Sequence, residues 1–106
     1  LGVSLRGLAM ASILDRLLYL RKVLQSMESD LGLQDLSQVE RDIVYAAHDA
    51  ADSEGCFEAS AVLAHELARD IPKTTYHRAF NALLERRIFQ PAEGFKTRRY
   101  VVRPLG

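Results

Sequence analysis

The stretch that decides the fold is residues 71–81, with the sequence IPKTTYHRAFN, near the start of a predicted helix over residues 72–87. Pro72 suits the first turn of a helix, where its missing backbone N–H leaves no hydrogen bond unmade. Apolar residues then recur at spacings of three and four, which predicts the buried face of the helix. The members of this apolar stripe are Tyr76, Ala79, Phe80 and Leu83.

A second stripe on the same helix is polar and basic, and it predicts a binding face. Lys and Arg contact phosphates or guanine edges, Asn pairs with adenine, and Thr and His hydrogen-bond to either. On spacing alone, the solvated face of an ordinary amphipathic helix fits this stripe equally well. Its members are Lys73, Thr74, His77, Arg78 and Asn81.

The charge distribution favours the binding face. The 106 residues carry no net charge, with fourteen Lys and Arg against fourteen Asp and Glu. Residues 1–72 hold six basic and twelve acidic side chains, whereas residues 73–106 hold eight basic and two acidic ones. Such a chain can present one basic surface to an anion while its bulk stays neutral. The alternative is chance segregation, with the acids folding back on the bases.

Length and composition limit the class of protein. An apolar share of 48% over 106 residues fits one globular domain with an appendage. A single cysteine, Cys56, leaves no internal disulfide; we expect it to be buried, in a cytoplasmic protein. No run of eighteen apolar residues and no signal-peptide order occurs, so we expect neither a membrane span nor secretion.

Residues 12–31 contain no Gly or Pro and predict a long helix. Alternating spacings of four and three define a heptad seam, and neighbouring apolar residues make the stripe wider than one partner helix would cover. We therefore predict that the helix packs partly on its own chain and partly on the same helix of a second chain, giving a homodimer. A core helix of a monomer is the alternative. The predicted dimer contacts are Ile13, Leu17, Leu20, Leu24 and Met27, and the seam ends at Leu31.

Residues 1–35 are predicted to hold this dimerisation helix, and residues 36–106 a second domain. Ser37 and Glu40 match a capping box and predict a helix to about residue 51. A turn over residues 52–55 and a short edge strand at 56–58 follow from composition. The predicted inward residues of the helix are Val39, Ile43, Val44, Ala46, Ala47 and Ala50.

Residues 59–69 predict a short helix with Val62, Leu63 and Leu67 inward, joined by a tight turn to the helix that begins at Pro72. Beyond that helix, two β-prone runs at 88–90 and 99–103 flank a Pro/Gly turn and predict a hairpin. The predicted fold class is therefore mostly α with a small β-hairpin (α+β).

Three motifs resemble a winged helix-turn-helix domain: LAHEL at residues 63–67, KTTYHR at 73–78 and LLERRIF at 83–89. The nearest pattern is that of MarR-like bacterial transcriptional regulators. There, a leucine-alanine helix precedes a Lys-Ser-Thr-Val-x-Arg recognition helix that ends in Leu-x-x-Arg-Gly-Leu-Ile. The resemblance covers about residues 36–104. Arg87 stands where that family usually has Gly, and the Asp-x-Arg signature of its wing is absent.

The resemblance implies that the helix from Pro72 lies in a DNA major groove and that the hairpin, or wing, contacts phosphates or the minor groove. Asn81 joins the recognition contacts through periodicity and not through the family pattern. The implied contacts are Lys73, Thr74, Thr75, His77 and Arg78 on the helix, and Lys96, Arg98 and Arg99 on the wing.

The function expected from these features is sequence-specific binding of double-stranded DNA by a homodimeric transcriptional regulator. The alternative is a protein-interaction winged helix that does not bind DNA, because the fold alone does not decide between the two. An enzyme is not expected, since His48, His65 and His77 lie on three different predicted helices without metal-site spacing. No cofactor or metal is expected, and no residue identifies a small-molecule effector.

Overall fold

The computed structural model describes residues 5–94 and 98–103, with side chains from residue 12 onward. The chain divides into two compact units between Gln34 and Asp35, one residue before the predicted domain boundary. The described residues form helices and a small antiparallel sheet, so the predicted α+β class is confirmed.

Unit one consists mainly of a single long helix, α1, which spans Leu5–Asp30. It begins seven residues before the predicted start at residue 12, because residues 5–11 are also helical. Every described side chain of α1 is exposed except Glu28, which is 7% exposed. The seam residues are among the exposed ones, at 41% to 60%.

Unit two contains the remaining elements. After a 3-10 turn at Leu33–Asp35 come helix α2 (Gln38–Ala50), strand β1 (Cys56–Glu58), helix α3 (Ala59–Leu63) and helix α4 (Lys73–Glu85). Strands β2 (Phe89–Pro91) and β3 (Arg99–Val102) follow and form the predicted hairpin. The sheet order is β1-β3-β2, so β1 is the edge strand that was expected, and β3 is central.

Helix α2 begins as its capping box predicts. The Ser37 hydroxyl accepts from the Glu40 backbone N–H at 3.1 Å, and the Glu40 carboxylate accepts from the Ser37 N–H at 3.1 Å. The helix packs against α3, α4, β1 and β3 and is therefore the centre of unit two. Its buried residues are Ile43, Val44, Ala46 and Ala47, whereas Val39 and Ala50 are half-buried.

The helix predicted over residues 59–69 is shorter in the structure, because α3 ends at Leu63. The reason is local: the ring Nδ1 of His65 accepts the Leu67 backbone N–H at 3.1 Å. That bond closes a turn in place of further helix. Leu67 was predicted to point inward but is 44% exposed. The neighbouring Ala68 is buried in the core instead.

Helix α4 begins at Lys73 with Pro72 as its N-cap and ends at Glu85, inside the predicted range of 72–87. Its last turn closes with the Schellman pattern, in which Ile88 N–H donates to the Leu83 carbonyl and Arg87 N–H to the Leu84 carbonyl, both at 3.0 Å. This motif places Arg87 in the left-handed region at φ 60°. Glycine is the favoured residue at such a position, since an L side chain there costs about 1–2 kcal/mol.

Replacing Arg87 by glycine is therefore expected to stabilise unit two by up to about 1 kcal/mol, because relief of the left-handed strain exceeds the entropic cost of glycine. Urea unfolding followed by circular dichroism measures the change. Arg87→Ala is the matched control, since it removes the same charge but keeps Cβ and should show no gain. Equal stability of the two variants would contradict the strain explanation.

Aromatic rings fill the core between α4 and the sheet. Phe57 and Phe89 meet edge to face with ring centroids 4.9 Å apart, and Phe80 lies 5.2 Å from Phe89 and 5.2 Å from Tyr100. Tyr76 completes this aromatic cluster at 5.8 Å from Phe80. The cluster joins β1, β2, β3 and α4, so it sets how the hairpin stands relative to the helix.

Candidate functional site

The predicted binding face of α4 is exposed along its whole length. Tyr76, Ala79, Phe80 and Leu83 are buried on the opposite side of the helix, as their spacing predicts. The only acidic residue of α4 is Glu85, its last residue. We call this face the outer face of α4; its exposed members are Lys73, Thr74, Thr75, His77, Arg78 and Asn81.

Both cations of the outer face are available to a ligand. Among the described side chains, Lys73 and Arg78 have no ion pair and no hydrogen bond. Thr74, Arg78 and Asn81 lie one turn apart in succession, directly opposite the buried stripe. They form the part of α4 that stands furthest from the core.

Tyr76 fixes the start of α4 against the preceding elements. Its hydroxyl donates to the Ala59 carbonyl at 3.1 Å, which links α4 to the first residue of α3. Burial raises the pKa of Tyr76 to about 12, with a smaller contribution from Tyr100. The phenol therefore keeps its proton, and the hydrogen bond persists, at any physiological pH.

A second link holds the turn between α3 and α4. The Nε2 atom of His65 lies 2.7 Å from the Asp49 carboxylate at the end of α2. Because Nδ1 accepts the Leu67 N–H, Nε2 carries the ring hydrogen and donates it to Asp49. Sequence spacing did not reveal this pair, since sixteen residues separate its members.

The hairpin brings one predicted contact next to the outer face. Arg98 is exposed, and together with His77 and Asn81 it lines a cavity of about 440 Å³ between α3, α4 and β3. Two predicted contacts from α4 and one from the hairpin thus meet at one site. The remaining walls are mostly apolar, with one acid: Glu58, Ala59, Ser60, Leu63, Tyr76, Phe80, Leu84 and Tyr100.

Arg99, another predicted wing contact, pairs with carboxylates of its own domain. Its Nη2 lies 3.5 Å from the Asp52 carboxylate, and its Nε lies 4.0 Å from that of Glu58. The cause is strand register, because β1 pairs with β3 so that Glu58 is opposite Arg99. We therefore leave Arg99 out of the candidate surface. Lys96, the third predicted wing contact, lies outside the described residues.

Asp52 organises the turn that leads into β1. Its Oδ1 atom accepts the backbone N–H groups of Glu54 at 2.8 Å and Cys56 at 3.0 Å. These hydrogen bonds hold the pKa of Asp52 below its usual value, and the one from Cys56 contributes most. Arg99 lowers the pKa further. The carboxylate thus fixes β1 and Arg99 together.

The lowered pKa gives a direction for the effect of acid. A carboxyl group whose folded pKa is depressed stabilises the fold above its unfolded pKa of about 3.9. This contribution is lost as the pH falls through the lower folded value. We expect Asp52→Asn to be less stable than the wild type near neutral pH and to lose less stability on acidification below about pH 4. Urea unfolding at pH 7 and at pH 3 measures both effects.

Glu54→Gln is the matched control, because it removes a carboxylate from the same turn that takes part in no hydrogen bond among the described side chains. Its acid-dependent loss of stability should match that of the wild type. Identical pH profiles for the Asp52→Asn and Glu54→Gln variants would contradict the role given to Asp52.

The predicted dimer contacts Ile13, Leu17, Leu20, Leu24 and Met27 lie in unit one, all exposed on α1. Within the described residues no helix combines the length and apolarity needed to cross a membrane. The same part of the chain holds no group of three His, Cys, Asp or Glu side chains that could bind a metal ion. Cys56 is buried, as predicted.

Comparison of the chain with protein-family models, curated proteins and solved structures finds no match in any of the three.

Proposed function

We propose that unit two is a winged helix-turn-helix domain that binds double-stranded DNA, and that the chain is a homodimeric transcriptional regulator of MarR-like type. In this proposal α4 is the recognition helix and the β2–β3 hairpin is the wing. The homodimer forms through α1.

The outer face of α4 carries the proposal. All six recognition contacts expected from the sequence are exposed on α4, and the two cations among them lack partners among the described side chains. A DNA-reading helix needs this combination, with phosphate-binding cations next to side chains that hydrogen-bond to base edges.

The dimensions of α4 suit the groove. Thirteen residues give a helix of about 20 Å, and a major groove about 12 Å wide admits one α-helix. The first-turn amides of α4 lack helical partners and carry the positive end of the helix dipole, so they favour a phosphate beside Lys73. The arrangement supports insertion with Thr74, Arg78 and Asn81 toward the bases.

Arg98 is assigned to the DNA backbone, because it is exposed on the hairpin and lies next to the outer face of α4. Arg98→Ala is expected to weaken binding to all duplex sequences about equally and to lower the salt slope by about two, because each chain of the dimer loses one phosphate contact. Fluorescence anisotropy with several unrelated duplexes checks this. Loss confined to one preferred sequence would instead assign Arg98 to base recognition.

The experiment that tests the proposal is selection of bound sequences from a random duplex pool, with oligomeric state measured in parallel. A DNA-binding regulator is expected to enrich a two-fold-related motif whose half-sites lie about one helical turn, or a multiple of it, apart. Failure to retain any duplex at low salt would overturn the proposal.

A protein-interaction module is the second candidate, and two observations favour it. Asp52 and Glu58 partly neutralise Arg99, and the cavity beside His77 and Arg98 has largely apolar walls. Such a surface would suit an acidic peptide with apolar side chains. Gel-shift assays with random duplex at low salt discriminate, because an interaction module would retain little or none of it.

The exposed seam of α1 supports the homodimer. Large apolar side chains lie in contact with water along a continuous heptad pattern, and such patches mark association surfaces. Sedimentation at micromolar concentration tests this part on its own. A strict monomer would remove the dimer from the proposal and leave DNA binding by unit two to be judged separately.

A further inference from the structure

The charges beside the seam of α1 determine how two copies would pair. The seam holds Leu17, Leu24 and Leu31 at one heptad position and Ile13, Leu20 and Met27 at the other. We propose that α1 pairs with α1 of a second copy in antiparallel orientation, with the two-fold axis near residue 22. This inference rests on the homodimer of the proposed function and adds its geometry.

The seam is compatible with this axis along its whole length. Each antiparallel layer joins one heptad position of one chain to the other position of the second chain. About residue 22, Leu17 meets Met27 of the partner subunit, and Leu20 meets Leu24 of the partner subunit. The outer layers join Ile13 to Leu31 of the partner subunit. The seam side chains are 41% to 60% exposed in the single chain and would be covered by the second copy.

The flanking positions distinguish the two orientations. One flank of the seam holds Arg16, Val23 and Asp30, and the other holds Leu14, Arg21 and Glu28. The cations Arg16 and Arg21 and the carboxylate of Asp30 have no partner among the described side chains. They are therefore free to select the orientation of a second copy. Glu28 is buried in its own chain and takes no part in this comparison.

In the antiparallel pair, equivalent flanks face each other. Arg16 then meets Asp30 of the partner subunit at both ends of the seam, giving two attractive contacts. Val23 meets its own copy at the axis. The one unfavourable contact is Arg21 against Arg21 of the partner subunit, and long exposed side chains of this kind can diverge into water.

A parallel pair has the opposite balance. There each flanking residue meets the residue five positions later on the other flank of the second chain. Arg16 would then meet Arg21 of the partner subunit twice. The parallel pair thus has two repulsive contacts and no attractive one, so the charge pattern selects the antiparallel pair.

Antiparallel pairing also fixes where the chains leave the seam. The helices end at opposite ends of the pair, about 24 Å apart along the axis, because Asp30 lies eight residues from the axis at about 1.5 Å per residue. In a parallel pair both chains would leave at the same end.

Charge reversal gives a test in which the two orientations predict effects of opposite sign. Arg16→Glu places two like-charged pairs in the antiparallel dimer and should raise the dimer Kd at least about tenfold. In a parallel dimer the same change creates two attractive pairs with Arg21 and should lower the Kd. Neither Arg16 nor Asp30 has a charged residue three or four positions away in α1, so the effect on the isolated helix is small.

The double variant Arg16→Glu with Asp30→Arg restores complementary pairs in the antiparallel dimer and should recover most of the wild-type Kd. Sedimentation equilibrium at low salt measures all of these constants. Tighter association of the Arg16→Glu variant, or no recovery in the double variant, would overturn the proposal.

Spin-label distances provide an independent measurement. A spin label is introduced by Ser12→Cys in a Cys56→Ala background. Residue 12 lies ten residues from the axis in each chain, so the two labels of an antiparallel pair should be about 30 Å or more apart. A label introduced by Val23→Cys lies at the axis, on the flank where equivalent positions face each other, and should report a much shorter distance. A short distance at position 12 would identify a parallel dimer and overturn the inference. If the Arg16→Glu variant still retains duplex DNA in a gel shift, failure of the antiparallel orientation is distinguished from failure of DNA binding.

Discussion

Arg78→Ala is expected to weaken binding to the preferred duplex by about 1–3 kcal/mol, or roughly 5- to 150-fold in Kd. Arg78 lies at the centre of the outer face of α4, exposed and without a partner among the described side chains. A guanidinium that contacts two acceptors of one guanine distinguishes that base from the others. The variant should therefore also lose base preference at one position of each half-site.

Arg86→Ala is the matched control for this prediction. It removes the same charge from an exposed position on the same segment, but at the C-cap of α4 and off the outer face. Competition binding with duplexes changed at single positions measures both effects. Equal losses in the two variants, with unchanged base preference, would mean that Arg78 acts only through its charge.

Phe89→Ala is expected to destabilise unit two by about 3–5 kcal/mol, the range for truncating a buried aromatic residue. Phe89 is 1% exposed and contacts both Phe57 and Phe80, so its ring joins the hairpin to the edge strand and to α4. A small domain is stable by about 5–15 kcal/mol, so the loss is a large fraction of the total. Urea unfolding followed by circular dichroism measures it.

Phe89→Leu is the control, since it retains an apolar side chain of intermediate size and should cost clearly less. DNA binding by the Phe89→Ala variant should fall together with the fraction folded, because the hairpin and α4 lose their common support. A loss of stability below about 1 kcal/mol would mean that the aromatic cluster does not hold the sheet to the helix.

Short-range patterns were sufficient to predict much of unit two. The capping box at Ser37 and Glu40 fixed the start of α2, and the apolar stripe from Tyr76 to Leu83 predicted which face of α4 is buried. These features depend on residues three or four positions apart. Local sequence is therefore enough to determine them.

Features that depend on distant residues were missed. The length of α3 depends on His65, whose ring contacts Asp49 on another helix and the Leu67 amide within its own turn. The position of Arg99 depends on the pairing of β1 with β3, and a strand register is not visible in single-sequence spacing. Arg99 was accordingly grouped with the wing contacts, although the structure pairs it with Asp52 and Glu58.

Arg87 shows that a helix can end in the backbone conformation favoured by glycine without a glycine residue. The MarR-like pattern usually has glycine at this position, and α4 ends here with the backbone conformation that favours glycine although the residue is Arg87. The two hydrogen bonds of the Schellman motif and the buried Ile88 side chain stabilise this ending.

The most direct test of the central claim, that the outer face of α4 and the hairpin bind duplex DNA, is the salt dependence of the affinity for a random duplex. With Lys73 and Arg98 each neutralising one phosphate in both chains of a dimer, log K should fall linearly with log salt at a slope of about −4. Fluorescence anisotropy from roughly 50 to 200 mM salt measures that slope. No binding at the lowest salt, or an affinity that does not change over this range, would contradict the claim.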